Sequence, residues 1–167
     1  MSNIALITQK YPTDPQRTAF VDQASASLAK VPGIQSVGFT NHTLPTMGAP
    51  RVFFTIAGRP PQPFELPPAF YYAVSAGYFE TMGIPLVRGR FFTDQDRAAS
   101  PRVALVNQEM ARLYFPDSDP IGQRISIGKG LEVWREIVGV VGNVLQGGPE
   151  VRSQVYDSFA QNPSAST

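Results

Sequence analysis

The 167-residue chain contains no cysteine and a single histidine, His42. Without cysteine there are no disulfide bonds, no thiolate catalysis and no zinc sites built on cysteine. A single histidine also excludes a metal site with several histidine ligands. A chain without cysteine is compatible with an oxidising compartment, although this absence does not establish one.

An excess of charge of either sign is also missing. The chain has 14 Lys and Arg residues against 13 Asp and Glu residues, for a net charge of +1. A nucleic-acid interface needs Lys and Arg clustered on one face, whereas the basic residues here are dispersed, which argues against that class of protein. The length suits one domain, or one domain with a sizeable insertion, and suffices to bury a core.

No hydrophobic run approaches the roughly 20 residues that cross a bilayer. The longest apolar stretch, residues 137–145, is interrupted by glycines and by Asn143. The first ten residues, MSNIALITQK, lack the charged start and long apolar core of a signal peptide. Taken by itself, the sequence predicts a soluble chain that stays where it is made.

The N-terminal part predicts a β-α-β unit. A strand over residues 4–8 precedes a helix with Asp14 as its N-cap and Pro15 at its first position, and a second strand covers residues 36–40. The helix is expected to be amphipathic and to pack on a sheet. Its apolar side chains at helical spacing are Phe20, Val21, Ala24, Leu28 and Val31.

Prolines separate this unit from the central stretch. Residues 51–56 alternate as a strand, and the segment Gly58 to Pro68 then carries five prolines, which exclude a helix or a central strand and predict a loop. A strand over residues 69–74 follows the loop. The segment 146–153 is predicted to be a flexible turn before a final short strand over residues 154–159.

In the central stretch, residues 73–144, sequence signals for the starts and ends of helices and strands follow one another closely. Ser75 is predicted to cap a short helix over residues 76–82 that Gly83 ends, and Asn107 to cap a helix over residues 108–115. Strands are predicted at the positions 86–87, 103–106, 124–127 and 134–144. In the last of these, Val138 and Val140 are expected on one face and Ile137 and Val141 on the other. The pattern predicts an α+β (mixed α/β) domain with a mixed sheet.

Two pairs of aspartates carry weak metal-site patterns. Asp117, Asp119 and Gly122 match the start of a calcium loop, but the twelfth position is Gly128 rather than glutamate, so a Pro-Asp turn is the favoured interpretation. Asp94 and Asp96 look more like a helix-start signal, with Thr93 and Asp96 resembling a capping box. We predict no metal-binding residue here.

Catalytic motifs are equally sparse. His42 sits at a predicted strand end without a recognisable nucleophile, and Ser75, Ser100 and Ser126 lack the Gly-x-Ser-x-Gly setting of an esterase. The glycines form neither a GxGxxG nor a Walker loop. We therefore predict no catalytic residue and no cofactor, and a protein that is not an enzyme.

Aromatic residues cluster in the middle third of the chain. Adjacent rings at Phe53-Phe54 and Tyr71-Tyr72 should force one ring outward on each strand, because successive strand residues point to opposite faces. An outward ring is a candidate contact for a ligand or a protein partner. The alternative is that the proline-rich loop covers it.

The central stretch contains, in this order, the motifs VSAGYFETMGIPLVRGRFF, VNQEMARLYFPDSDPIGQRI and WREIVGVVGNV. With these motifs the chain resembles the periplasmic core domain of MacB-type and FtsX-type ABC transporter permeases, in particular the permease-only members. The resemblance extends from about residue 11 to residue 161 and is densest between residues 74 and 144.

This resemblance implies a porter-like β-α-β subdomain with an inserted small α/β subdomain. Residues 1–72 would hold the first porter segment, residues 73–160 the insertion and residues 161–167 a frayed tail. The second porter segment of the family is missing from this sequence, so the porter sheet would keep an open edge and the fragment could self-associate.

The resemblance also implies a function that involves no catalysis. The chain would be the extracytoplasmic (periplasmic) domain of an inner-membrane permease that couples ATP-driven transmembrane movement to export or signalling. Its partners would be the transmembrane helices of the same full-length permease, a separate cytoplasmic ABC ATPase, and a periplasmic adaptor or substrate protein. The alternatives are a free-standing soluble ligand- or peptide-binding module and, less favoured, a hydrolase using His42 and an aspartate.

Overall fold

The computed structural model describes residues 11–42, 50–59, 67–128, 133–145 and 150–163. Its helices are α1 (Asp14–Leu28), α2 (Tyr78–Thr81) and α3 (Gln108–Tyr114). Its strands are β1 (Arg51–Ile56), β2 (Pro68–Val74), β3 (Leu86–Gly89), β4 (Val103–Asn107), β5 (Arg124–Ile127), β6 (Trp134–Val141) and β7 (Gln154–Ser158). The predicted first strand, residues 4–8, lies outside the described residues. No described helix is both long and apolar enough to span a bilayer.

The strands form one mixed sheet that closes on itself. Their order is β3-β6-β4-β7-β2-β1-β5, and β5 also pairs with β6. Six strands therefore make a ring, and β3 lies beside β6 as an additional strand. The pairs β2–β7 and β4–β6 are parallel, whereas the others are antiparallel. The predicted mixed α/β fold is confirmed.

Closure gives the barrel a packed interior. Every one of the six ring strands contributes apolar side chains to a single cluster, which Met110 and Phe115 of the α3 region join from one end of the barrel. The strand residues of this interior cluster are Phe54, Ile56, Ala69, Ala104, Val106, Ile125, Ile137, Val140 and Val155. The interior of this small barrel is thus filled by side chains, as expected for a ring of this size.

A second apolar cluster covers the outer face of four ring strands. Phe79 of α2 stacks on Phe91 at 5.3 Å between ring centroids and meets Tyr156 edge-on at 5.1 Å. Tyr72 stacks on Tyr156 at 5.5 Å. Such aromatic contacts add to the burial of apolar area. Because this layer lies outside the barrel, β2, β4, β6 and β7 are buried on both faces.

A bulge in β6 changes which side chains face the interior. Ile137 pairs with Ala104 and Gly139 pairs with Leu105, so β6 has one extra residue, Val138. Ile137 and Val140 therefore face the interior cluster, and Val138 and Val141 face the outer one. The prediction that Val138 shares a face with Val140 is wrong, because simple alternation fails across a bulge. The strand ends at Val141, three residues earlier than predicted.

The helix α1 departs from prediction in two ways. Its N-cap is Thr13 rather than Asp14, and the backbone N–H of Thr13 donates to Gln16 Oε1 at 3.2 Å. Only Val21 is fully buried, whereas Leu28 is 37% exposed. The expected packing of its whole apolar stripe is therefore wrong for the C-terminal half. The helix α3 follows prediction, since Asn107 Oδ1 accepts from Met110 N at 3.0 Å.

The boundary predicted between residues 72 and 73 falls inside β2, and strands from both sides of it join one sheet. The division into a porter-like segment and an insertion stays a prediction. The predicted fraying of residues 161–167 is wrong at Gln161, which is buried. Gln161 Oε1 accepts from Val103 N at 3.0 Å, which fixes the chain after β7. Residues 164–167 lie outside the described part.

A buried ion pair occupies the barrel at the end opposite α3. Arg135 Nε donates to Asp157 Oδ1 at 2.7 Å, and the two side chains are 7% and 2% exposed. Asp157 Oδ2 also accepts from the Tyr71 hydroxyl at 3.1 Å and from Asn162 Nδ2 at 3.2 Å. Ala104 lies opposite Asp157 on the strand between the two, and its small side chain leaves room for the pair. Burial raises the pKa of Tyr71, and the negative charge of Asp157 adds to this shift.

Replacing Asp157→Asn should lower the free energy of unfolding by about 3 kcal/mol, because the Arg135 charge would stay buried without its counter-charge. Urea denaturation followed by circular dichroism measures the loss. The matched control is Asp119→Asn, whose partner Arg88 lies 2.7 Å away on the surface, and it should cost less than about 1 kcal/mol. Equal, small losses in both variants would show that the buried pair does not stabilise the barrel.

Candidate functional site

The segment after α1 is joined to the end of β2 by hydrogen bonds. We define the joint as residues 37–41 together with residues 73–78. Thr40 forms an isolated bridge with Val74, so the predicted strand over residues 36–40 is reduced to this one pair. Asn41 N donates to Ala73 O at 3.0 Å, and Ala73 N donates to Asn41 Oδ1 at 2.8 Å. The side chain of Asn41 thus extends the pairing that the backbone begins.

Ser75 completes the joint rather than capping α2. Its Oγ accepts from Phe39 N at 2.9 Å, and its own N–H donates to Phe39 O at 2.9 Å. The helix α2 begins at Tyr78 with Gly77 as its N-cap, so the prediction of a Ser75 cap is wrong. The serine side chain instead pairs with an amide 36 residues away. Gly83 ends this helical region in a left-handed conformation, as predicted.

Two glycines allow the backbones of the joint to touch. A Cβ placed on Gly38 would lie 2.5 Å from Tyr78 Cα, and a Cβ on Gly77 would lie 2.3 Å from Val37 O. Such distances are shorter than any side-chain carbon tolerates, so both positions require glycine. Sequence reasoning missed this contact, since neither glycine stands in a turn motif and the partners are distant in the chain.

The helix α1 itself contacts the barrel through a small buried cluster and a surface ion pair. Val21 packs with Ala73 and Phe159 in a three-residue buried cluster. Asp22 pairs with Arg97 at 2.9 Å, with both side chains about half exposed, which makes a weak surface interaction. The joint is therefore the most extensively hydrogen-bonded connection between the α1 region and the barrel.

His42 lies directly after the joint. Its backbone N–H donates to Thr40 Oγ1 at 3.3 Å, and its carbonyl accepts from the same hydroxyl at 2.9 Å. Burial lowers the pKa of the imidazole. Among the described residues, no hydrogen bond joins this imidazole to a carboxylate or to Ser75, Ser100 or Ser126. The structure therefore offers no support for the hydrolase hypothesis, which needs both contacts.

Two of the four aspartates of the metal-site patterns, Asp119 and Asp96, bind other protein groups. Asp119 Oδ1 accepts from Ile121 N at 3.0 Å and Oδ2 accepts from Arg88 at 2.7 Å, which is the behaviour of a turn residue. Asp96 Oδ2 accepts from Thr93 N at 2.7 Å, as the predicted capping-box pattern requires, although no helix follows. In the described part of the chain, no three His, Asp or Glu side chains lie close enough together to hold a metal ion.

Asp96 also forms a bidentate pair with Arg90, at 2.8 and 2.9 Å. Burial by itself would raise the pKa of Asp96, but the hydrogen bonds from Arg90 and Thr93 outweigh it and hold the pKa below its ordinary value. The carboxylate is therefore favoured in its charged form, and it fixes the loop before β4.

The aromatic prediction is half right. Phe53 is 50% exposed while Phe54 is fully buried and meets Tyr114 edge-on at 5.0 Å. Neither ring of Tyr71-Tyr72 points to solvent in this way, because both faces of β2 are covered. Tyr72 lies in the outer cluster, and Tyr71 reaches the Arg135–Asp157 pair.

Comparison with known proteins assigns the family. A family model described as the MacB-like periplasmic core domain matches residues 1–161. The chain belongs to this family. The resemblance, which extends from about residue 11 to residue 161, is thereby confirmed over that length.

Individual members of the MacB-like family cover the chain less completely. The chain is 34% identical over 61 residues to the macrolide export ATP-binding/permease protein MacB of Neisseria gonorrhoeae, which is 36% of this chain and 10% of that protein. It is 35% identical over 71 residues to the uncharacterized ABC transporter permease YknZ of Bacillus subtilis, or 42% and 17% of the two lengths. The chain thus spans a small part of these relatives.

The fold is similar to the crystal structure of the periplasmic region of MacB from Actinobacillus actinomycetemcomitans. The TM-score is 0.58 at 19% sequence identity, and the match covers 84% of this chain and 55% of that one. This likeness supports the fold assignment.

Replacing Ser75→Ala should lower the free energy of unfolding by about 1 kcal/mol, because the Phe39 amide loses its acceptor. Hydrogen exchange should also show faster exchange at Phe39. Ser27→Ala, on the exposed face of α1, serves as the control and should leave that amide unchanged. If Phe39 exchanged at the wild-type rate in Ser75→Ala, the serine would not hold the joint together.

Replacing Asp96→Asn should remove a pH-dependent contribution to stability. A carboxylate with a lowered folded-state pKa stabilises the fold above its unfolded pKa of about 3.9, and this contribution is lost as the pH falls through the folded-state pKa. The gap in unfolding free energy between wild type and Asp96→Asn should therefore narrow as the pH falls below about 4. The exposed neighbour Asp94→Asn is the control, and a gap that stays constant with pH would contradict the assignment.

Proposed function

We propose that this chain is the extracytoplasmic domain of an ABC-type permease in the inner membrane. The observation that carries the proposal is the family match over residues 1–161, with a fold similar to the periplasmic region of a MacB protein. The domain performs no catalysis. It couples ATP-driven movement of transmembrane helices to export or to a signal outside the membrane.

The joint suits this role because it is short and well ordered. Movement of the α1 region would reach β2 through the paired backbones of Phe39–Asn41 and Ala73–Ser75. The close approach of Gly38 and Gly77 leaves little room for the two backbones to shift independently. Beyond the joint, ring closure makes the barrel resist deformation, so a displacement at β2 moves the barrel as a unit.

The partners follow from this role. The transmembrane helices of the same full-length permease would supply the movement, and a separate cytoplasmic ABC ATPase would drive it. A periplasmic adaptor or substrate protein would receive it. We further propose that residues 1–72 form the first segment of a porter-like subdomain and residues 73–160 an insertion, with β2 running across the boundary.

The location is tested by cysteine labelling, for which the absence of native cysteine in this chain is an advantage. In the full-length permease with its other cysteines replaced, Arg124→Cys on the exposed side of β5 should react with a membrane-impermeant maleimide in intact spheroplasts. Ala104→Cys, fully buried in the barrel, should react only after denaturation. Labelling of Arg124→Cys only after the membrane is opened would place the domain in the cytoplasm and refute the proposal.

The coupling is tested in the full-length permease with its ATPase. A fluorophore on Arg124→Cys should change its emission when ATP is added. Combining Gly38→Ala with Ser75→Ala should reduce this change while ATP hydrolysis continues, because the joint no longer transmits the movement. Ser27→Ala should behave as wild type, and an undiminished signal in the joint variant would exclude the joint as the path of transmission.

A further inference from the structure

A pocket of about 350 Å³ opens between the start of β2, the segment before β7 and the helix α3. Its main lining residues are Arg51, Phe70, Leu113, Val151, Arg152 and Ser153. The pocket is separate from the joint, which lies at the other end of β2. Its volume is within the range of sites that hold small molecules, roughly 300 to 1,000 Å³.

Two guanidinium groups lie over the ring of Phe70. The Cζ of Arg51 is 5.4 Å from the centre of the Phe70 ring, and the Cζ of Arg152 is 5.8 Å from it. Arg51 stands opposite Phe70 in the β1–β2 register, so the sheet itself sets the first of these contacts. Both distances suit cation–π attraction, which holds the two cations beside the same ring.

The two cations have little compensation from carboxylates. Among the described residues, Arg51 has no carboxylate within ion-pair distance. Arg152 has only Glu150, at 3.9 Å, and that glutamate is largely exposed. An ion pair of this kind on a solvated surface contributes little to stability. The two guanidinium groups therefore keep donors available for an anion from outside the chain.

The rest of the lining is apolar. Leu113 is 46% exposed on α3, and Val151 is half-buried beside Arg152. Leu113 and Phe70 leave apolar surface in contact with water, and a bound apolar group would cover this surface. The pocket is thus lined by apolar side chains and by two cationic ones.

We propose that this pocket binds small organic anions that carry a carboxylate, sulfonate or phosphate on a short apolar body. The anionic group lies between Arg51 and Arg152, because planar guanidinium groups bind such oxyanions with paired hydrogen bonds. The apolar body covers Phe70, Leu113 and Val151. This binding is independent of the permease role and holds whether or not the joint transmits movement.

The test uses octanoate as the probe, added to the ¹⁵N-labelled chain and followed by amide chemical shifts. Saturable shifts are expected at Phe70, Leu113 and Ser153. Arg51→Gln and Arg152→Gln should each weaken binding about tenfold, equivalent to about 1.4 kcal/mol. Both arginines are exposed, so the variants should keep the wild-type spectrum elsewhere. Arg124→Gln, an exposed arginine on the surface of β5, is the matched control and should bind as wild type.

Two further ligands separate the contributions of charge and apolar surface. Octanol tests the apolar wall alone and inorganic phosphate tests the cations alone, and each should bind more weakly than octanoate. Leu113→Ala should weaken the binding of octanoate but not that of phosphate. The proposal is overturned if octanol binds as tightly as octanoate, if phosphate does so, or if both arginine variants retain wild-type affinity.

Discussion

The pairing of β5 with β6 is the interaction on which the rest of the structure depends. It closes six strands of the sheet into a ring, so that one face of the sheet becomes the interior of the barrel and the other face its exterior. All six ring strands can then contribute to one apolar cluster, while α2 and the residues that follow it cover the outside of four of them. Without this closure β5 would be an open edge strand, and the buried faces of β1 and β5 would lack partners across the interior.

Closure also explains the irregular positions in the sheet. The strand β6, which contains the bulge at Val138, pairs with β4 along one edge. Its other edge pairs first with β5 and then, further along the strand, with β3. Gly139 lies at this crowded point, where a Cβ would come within 2.3 Å of Arg90 O. The ion pair of Arg135 and Asp157 likewise lies inside the barrel, where burying a paired charge costs much less free energy than burying an isolated one.

The surface features divide the molecule into two ends with different properties. The joint, at the C-terminal end of β2, consists of backbone contacts and glycines and contains little that could recognise a small molecule. The pocket near the start of the same strand presents two exposed arginines and the exposed Leu113 beside half-buried apolar side chains. The two features can coexist, because a ligand at one end of a stiff barrel need not disturb the contacts at the other.

The sequence by itself determined several of the local elements and the family. The Asn107 cap, the Gly83 helix end and the turn before β5 rest on residues a few positions apart, so local rules sufficed, and the central motifs carried the resemblance. Only the tertiary structure decided that both rings of Tyr71-Tyr72 are covered, that Ser75 pairs with Phe39, and that Gly38 meets Gly77. These outcomes depend on residues far apart in the chain, which no short-range pattern relates to one another.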